Sequence, residues 1–193
     1  MVKPLNFTLF LDRDGVINED SPDYIKCAGE FHFIPGSAEA IALLTQRGFD
    51  IIVITNQSGV GRNLFTRQDL DGIFDKMNKG IEAVGGKIKD IFFCPHTPED
   101  GCSCRKPLPG LILKAIQKYG IDPARSCMVG DSIKDECANN AGCGYSVLVR
   151  TGNGEKTEAD LMKIHGGSKL SQPDFIAKNL MEAAYWISKQ LHE

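Results

Sequence analysis

Four short apolar runs constrain this chain more than anything else in it: Phe7-Thr8-Leu9-Phe10-Leu11, Ile51-Ile52-Val53-Ile54, Cys127-Met128-Val129 and Ser146-Val147-Leu148-Val149. Each is short for a helix and apolar on nearly consecutive residues, the pattern of parallel strands buried on both faces. Between them the period changes. Ser37 to Gln46 carries Ala38, Ile41, Leu43 and Leu44 as one helical stripe and stops at Gly48. Thr66-Arg67-Gln68-Asp69 resembles a capping box with Asp in the Glu/Gln place, and opens a helix through Leu70, Ile73, Phe74, Met77 and Ile81 to Gly85-Gly86. Ile88 to Phe93 reads as a strand, Pro109 to Tyr119 as a helix stopped by Gly120, and Ile133 to Ala141 as a helix ended by Gly142. Asp174-Phe175-Ile176 adds a short edge strand before a last helix through Leu180, Ala183, Ala184, Ile187 and Leu191. This alternation predicts an α/β fold: an open, doubly wound, Rossmann-like parallel sheet with helices on both faces and a site at the carboxyl ends of the strands. A chain of 193 residues suits a single domain over 1–193. No long insertion follows Asp14-Gly15 or Thr55, so no large cap domain is expected.

Asp12-Arg13-Asp14-Gly15 stands where the first run surfaces. Two carboxylates at the end of a buried strand resist burial unless a cation or a shared proton compensates them, so the pair predicts Mg2+; a solvated Asp-Gly turn is the plain alternative. Past the later segments come Thr55-Asn56, Arg105-Lys106-Pro107, and Gly130-Asp131 with Asp135. Each group has an ordinary explanation as turn former, helix-start cation or N-cap. Their joint occurrence in this order favours a phosphate-handling crevice, with Thr55, the Asn56 backbone and Lys106 as donors to phosphate oxygens.

Cys94-Pro95-His96 and Cys102-Ser103-Cys104 give C-x-H-x5-C-x-C, a tetrahedral Zn2+ set with no position open to substrate and hence a structural site. A disulfide with leftover thiols is the competing reading. Such a zinc-binding loop leads directly into Arg105-Lys106 and would fix both cations. Seven cysteines is an odd number, which fits reduced thiols better than a disulfide framework. Cys27, Cys127, Cys137 and Cys143 read as small buried hydrophobes, and Trp186 as a packing residue. His32, His165 and His192 have no ligand-like neighbours in sequence. A net charge of −3 gives no broad attraction for nucleic acid or an anionic membrane. Neither a leader at Met1–Asn6 nor a membrane-spanning run is apparent, so a cytoplasmic monomer acting on a small molecule is expected.

From Phe7 through Arg150 these motifs resemble the phosphatases of the haloacid dehalogenase superfamily. The resemblance implies that Asp12 is a nucleophile forming an aspartyl-phosphate, and that Asp14 is the general acid and then base, helped by a proton retained beside negative neighbours. It also implies Mg2+ on the Asp12 carboxylate, the Asp14 backbone carbonyl and the Asp131 carboxylate. Within the superfamily the zinc loop running into C-x-C-R-K-P resembles two branches, one acting on heptose bisphosphates and one on histidinol phosphate. Asp-Gly-Val-Ile-Asn18, Thr-Asn-Gln-Ser-Gly59, Arg62-x-x-Phe65-Thr66 and Leu-Val-Arg-Thr-Gly152 are more similar to the first.

The implied partner is a small phosphosugar, met by loops containing Arg13, by Asp20, Ser21, Pro22 and Asp23 beside sugar hydroxyls, and by Asn56, Gln57 and Ser58. Arg62 and Arg105 are the candidates for a second phosphate. Ser132 departs from the pattern, since some heptose phosphatases have a basic residue directly after the acidic one. A receiver-type signalling domain also groups acids, Thr and Lys around Mg2+, but places its phosphorylated Asp on a middle strand and its Lys after a later one. A purely structural zinc protein is a third reading.

Overall fold

A computed structural model describes residues 7–163 and 172–190. Strand β1 (Thr8–Leu11) is followed by α1 (Ser37–Gln46), β2 (Asp50–Asn56), the single turn α2 (Ser58–Gly61) and α3 (Arg67–Ala83). Then come β3 (Asp90–Cys94), α4 (Gly110–Tyr119), β4 (Ser126–Gly130), the short α5 (Cys137–Asn140) and β5 (Tyr145–Val149). The chain closes through α6 (Gly154–Lys163), β6 (Phe175–Ala177) and α7 (Leu180–Gln190). One sheet of six strands runs in the order β3-β2-β1-β4-β5-β6, and every neighbouring pair is parallel. Winding proceeds outward from β1 to β3 and then restarts at β4 on the other side. The gap between β1 and β4 is therefore the switch point at which open α/β sheets hold ligands.

Strand alternation divides the core. Leu9, Leu11, Ile51, Val53, Cys127, Val129, Val147 and Val149 face one way and pack with α1, α3 and α7. Phe10, Ile52, Ile54 and Met128 face the other way and meet Leu111, Ile112 and Ala115 of α4 and Ala138 of α5. That two-sided burial is why the strands are apolar on consecutive residues. At the start of α3, Thr66 Oγ1 accepts from the Asp69 backbone N–H at 3.1 Å and Asp69 returns the bond to the Thr66 N–H at 2.8 Å. Asp thus serves in the capping box, a cap of about 1 kcal/mol.

Three elements differ from expectation. The segment 133–141 is not one helix but a 3-10 turn, Ile133–Glu136, followed by α5. Its first turn is tightened by Asp135, whose carboxylate folds back onto the Ser132 N–H at 3.2 Å. Helix α6 escaped the sequence pattern because only Gly154 and Leu161 of it are buried, too few for an apolar stripe. Strand β3 begins at Asp90 rather than Ile88. Among the described residues no cap domain interrupts the sheet, and no helix is long and apolar enough to cross a membrane. Trp186 packs as expected, stacked on Phe175 with centroids 5.0 Å apart. Leu191, His165, His192 and Met1–Asn6 lie outside the described residues.

Candidate functional site

The carboxyl ends of β1, β2 and β4, with the loop after β3, enclose a crevice of about 240 Å³. At its floor the Lys106 ammonium lies 2.6 Å from Asp12 Oδ2 and 2.6 Å from Asp135 Oδ1, with its side chain almost wholly buried. Lys106 is brought here by Asn56: the Asn56 amide donates to the Lys106 carbonyl at 3.2 Å and its Oδ1 accepts from the Lys106 N–H at 3.0 Å. Burial alone would lower the lysine pKa; the Asp12 and Asp135 carboxylates outweigh it and hold the ammonium above its ordinary value.

The acids carry the opposite strain. Burial raises Asp12 to about 7, with Lys106 pulling it down and Asp135 and Asp131 pushing it up. Asp131 is raised to about 6, again chiefly by burial and against the hydrogen bonds from Asn153. Carboxylate oxygens of Asp12, Asp131 and Asp135 lie within 4.8 Å of one another. One ammonium does not neutralise three such anions, and a hard divalent cation would. Gly15 makes the approach possible: it has φ +78°, and a Cβ there would stand 2.1 Å from Asp131 Oδ2. Asp131 thereby closes on the backbone beside Asp14. The oxygen set fits Mg2+.

Asp14 is surrounded differently from the expectation. Its carboxylate accepts from Arg13 Nε at 3.1 Å and from Arg13 Nη2 at 2.6 and 2.9 Å, from Asn18 Nδ2 at 2.9 Å and from Gln57 Nε2 at 2.9 Å. A cation and two amides replace the expected negative neighbours. Gln57 Nε2 also reaches Thr55 Oγ1 at 2.9 Å, tying the two functional side chains together.

Most of the expected substrate contacts converge. Asp20, Ser21, Pro22, Asn56, Gln57, Ser58 and Arg105 all line the crevice. Arg13 does so without presenting its guanidinium, which is 1% exposed and committed to Asp14, because the side chain turns inward toward the Phe74 ring. Asp23 lies instead in the neighbouring hollow with Glu19, Lys26 and His32. Arg62 is also displaced: it caps α2, does not line the crevice, and faces Glu99 of the cysteine loop at 3.7 Å. Residues that sequence reasoning passed over are Tyr24, Ile25, Lys134 and Asn153, all on the crevice wall. Ser132 caps the turn after Asp131, and, two residues on, Lys134 brings a basic side chain to the crevice wall. Asp135 was noted without a role, and its ion pair with Lys106 gives it one.

The second cluster closes the end of β3. Cys94 Sγ lies 3.5 Å from His96 Nδ1, 3.6 Å from Cys102 Sγ and 3.2 Å from Cys104 Sγ; Cys104 Sγ lies 3.3 Å from His96 Nδ1 and 3.5 Å from Cys102 Sγ. Spacings of this size match the edges of a tetrahedron around a metal with bonds of roughly 2.0 to 2.3 Å. None of the described cysteines is joined in a disulfide. Burial drives Cys94 up to about 12, while Cys102 falls to about 7 as bonds from the Cys104 backbone and its neighbours outweigh burial. The donor set fits Zn2+. Arg105 leaves this loop with its Nη1 held by the His96 carbonyl at 3.0 Å. Cys127 and Cys137 are buried as expected, but Cys27 is exposed and Cys143 only partly covered; Cys27 precedes a surface 3-10 turn, Ala28–Glu30, none of whose residues is buried.

Aspartates past the end of a first parallel strand, a Thr at the end of the second and a buried Lys bridging the first of those aspartates to an acid past the fourth define a hydrolase of the aspartate-based phosphate-handling class. Residues 3–140 match the haloacid dehalogenase-like hydrolase family, and residues 103–183 match a second family described as HAD-hydrolase-like. The chain is 47% identical over 152 residues to a D-glycero-beta-D-manno-heptose-1,7-bisphosphate 7-phosphatase of Bordetella bronchiseptica, covering 78% of this chain and 84% of that one. It is 46% identical over 149 residues to the like-named protein of Neisseria meningitidis, covering 77% and 80%. Among solved structures, the D,D-heptose 1,7-bisphosphate phosphatase of B. bronchiseptica complexed with magnesium and phosphate superposes with a TM-score of 0.87 at 39% identity, covering 95% of this chain and 99% of that one. The chain belongs to the haloacid dehalogenase-like hydrolases.

Proposed function

We propose that this protein removes the 7-phosphate from D-glycero-β-D-manno-heptose 1,7-bisphosphate, in surface-sugar biosynthesis, as a cytoplasmic monomer. Asp12 attacks phosphorus; an Asp12 O–P bond forms as the P–O7 bond breaks, and Asp14 gives its proton to the leaving O7. Asp14 then takes a proton from water, which attacks the aspartyl-phosphate and frees Asp12 and inorganic phosphate. For this, Asp14 must exchange part of its contact with Arg13, Asn18 and Gln57 for a proton and the leaving oxygen. Lys106, the Thr55 hydroxyl and the Asn56 N–H gather the charge on the phosphoryl oxygens, each such donor worth on the order of 3 kcal/mol of barrier.

Asp12, Asp131 and the Asp14 carbonyl would hold Mg2+, with Asp135 behind them keeping Lys106 in place. When bound, Mg2+ supplies the positive charge that the buried acids lack and that phosphate oxygens need. Cys94, His96, Cys102 and Cys104 would hold Zn2+, which fixes the loop carrying Arg105 and Lys106 and takes no part in the reaction. The phosphate that stays on the sugar needs cations of its own. Arg105 serves there, and Lys134 takes the part that the sequence offered to Arg62. Asp20, Ser21 and Pro22 face the sugar hydroxyls.

The observation that carries this reading is the floor of the crevice, where Asp12 and Asp135 share the buried Lys106 at 2.6 Å each and Asp131 stands alongside. The test is phosphate release from the β and α anomers of the heptose bisphosphate and from histidinol phosphate, with and without Mg2+. We expect Mg2+-dependent turnover with kcat/KM highest for the β anomer. A preference for histidinol phosphate would refute the substrate, and no hydrolysis of any of the three would refute the reaction.

A further inference from the structure

Asn153 makes bonds that the reaction scheme does not use. Its backbone N–H donates to Asp131 Oδ2 at 2.7 Å, and its side-chain amide donates to the same oxygen at 3.2 Å and to Asp20 Oδ2 at 3.0 Å. One NH2 group therefore joins an acid at the end of β4 to an acid on the loop that walls the crevice. The surroundings fix where Asn153 stands. Thr157 Oγ1 donates to the Asp131 carbonyl at 2.9 Å, so the first turn of α6 holds Asp131 by backbone and side chain together. Thr151 Oγ1 donates to the Gly15 carbonyl at 2.6 Å, which seats the 150–153 turn against the D-x-D loop.

We propose that Asn153 is a positioning residue that couples the substrate loop to the metal-holding carboxylate. By occupying Oδ2 of Asp131 with two donors it orients the group so that its other oxygen is the one left for a cation. By holding Asp20 with the same amide it draws the loop around Ser21 and Pro22 over the crevice. Two anions reaching for one amide would otherwise repel each other, so the bridge also keeps Asp20 close to Asp131 at low cost. Linkage is reciprocal: a cation that fixes Asp131 fixes Asn153, and through it the loop. This coupling rests on the metal assignment above but not on the identity of the sugar.

Magnesium chloride alone, with no substrate, is therefore the probe. Wild-type protein and Asn153→Ala are compared by calorimetric Mg2+ titration and by amide hydrogen exchange across residues 18–24, with circular dichroism to establish that the variant is folded. Mg2+ is expected to slow exchange in that loop of the wild type; in Asn153→Ala the protection disappears and Mg2+ affinity falls about tenfold, as for the loss of other groups that orient metal ligands. Asn153→Gln, which keeps the amide, should restore part of both. Equal Mg2+-induced protection in wild type and Asn153→Ala would overturn the coupling, as would unchanged affinity. Absence of any Mg2+ binding by the wild type would instead overturn the metal assignment, and failure on the heptose substrate with Mg2+ coupling intact would overturn only the proposed substrate.

Discussion

At the end of β1, Asp12, Asp131 and Asp135 crowd around one ammonium in a crevice open to a ligand. At the end of β3, Cys94, His96, Cys102 and Cys104 close on one another, and Cys94 and Cys104 join the hydrophobic core. Both clusters gather donor atoms that suit a cation, but they dispose them differently. The carboxylates stay accessible, so the ion that relieves them can also contact a phosphate. The thiols and imidazole turn toward one another, and what they offer outward is only the loop that follows. The two regions meet at Arg105-Lys106, where the closed cluster ends and the open crevice begins.

The strongest way to break this division of labour is at the nucleophile. Asp12→Asn keeps the shape of the side chain but removes the charge that attacks phosphorus and pairs with Lys106. Its kcat is expected to fall by on the order of 10⁴ or more, as when other catalytic nucleophiles are removed. Retained turnover in purified Asp12→Asn would end the assignment. Removing zinc should act more gently. If the thiol cluster only scaffolds, a chelator titration should first lower kcat/KM by about a hundredfold, roughly 3 kcal/mol, as Arg105 and Lys106 lose their places. Loss of far-UV circular dichroism in step with activity would show that the cluster holds the whole sheet and not the loop alone.

Proton linkage sharpens the contrast from the other side. Burial holds Asp12 at about 7 and Asp131 at about 6, above the ordinary 3.8. Raised carboxylates favour the folded state when protonated, so their stabilising contribution is full below pH 3.8 and is lost as pH rises through about 6 and about 7. Mg2+ replaces what the protons supplied. It should therefore raise Tm more at pH 8 than at pH 5.5, by several degrees for about 2 to 3 kcal/mol of binding. An equal shift at both pH values would mean that these acids are not the metal's ligands.

What the sequence disclosed follows from the same physics. Two-sided burial makes the strands apolar on consecutive residues, so the parallel sheet could be read directly, as could α1 and α3, whose buried stripes are regular. The Cys/His donors stand out in the sequence because they are few and chemically distinctive, whereas the acid cluster is only partly visible there: Asp12 and Asp131 follow apolar runs, but the place of Asp135 beside them depends on the fold. Helix α6 was not, since its buried face reduces to Gly154 and Leu161. Asn153 was hidden for a related reason: an Asn before a helix looks like any cap, and only the fold brings it to Asp131 and Asp20. The inward turn of Arg13 and the outward place of Arg62 depend on Asp14 and Glu99, contacts that charge patterning alone cannot rank.

The smallest effect concerns the cations that meet where the two regions join. Arg105 comes from the zinc side and stands next to Lys106; Lys134 comes from the carboxylate side and stands next to Asp135, and those neighbours are paired at 2.6 Å. Both line the crevice, and among the described residues no carboxylate pairs with Lys134, whereas Arg62 lies outside facing Glu99. A cation without a partner is available to a second phosphate, but an exposed one is worth only about 1 kcal/mol. Lys134→Ala should therefore raise KM for the heptose 1,7-bisphosphate about fivefold at nearly constant kcat, and leave KM for the 7-monophosphate unchanged. Arg62→Ala should alter neither. If Arg62→Ala carries the bisphosphate-specific loss and Lys134→Ala does not, the loop after β2 closes on the substrate during turnover and the cation assignment is reversed.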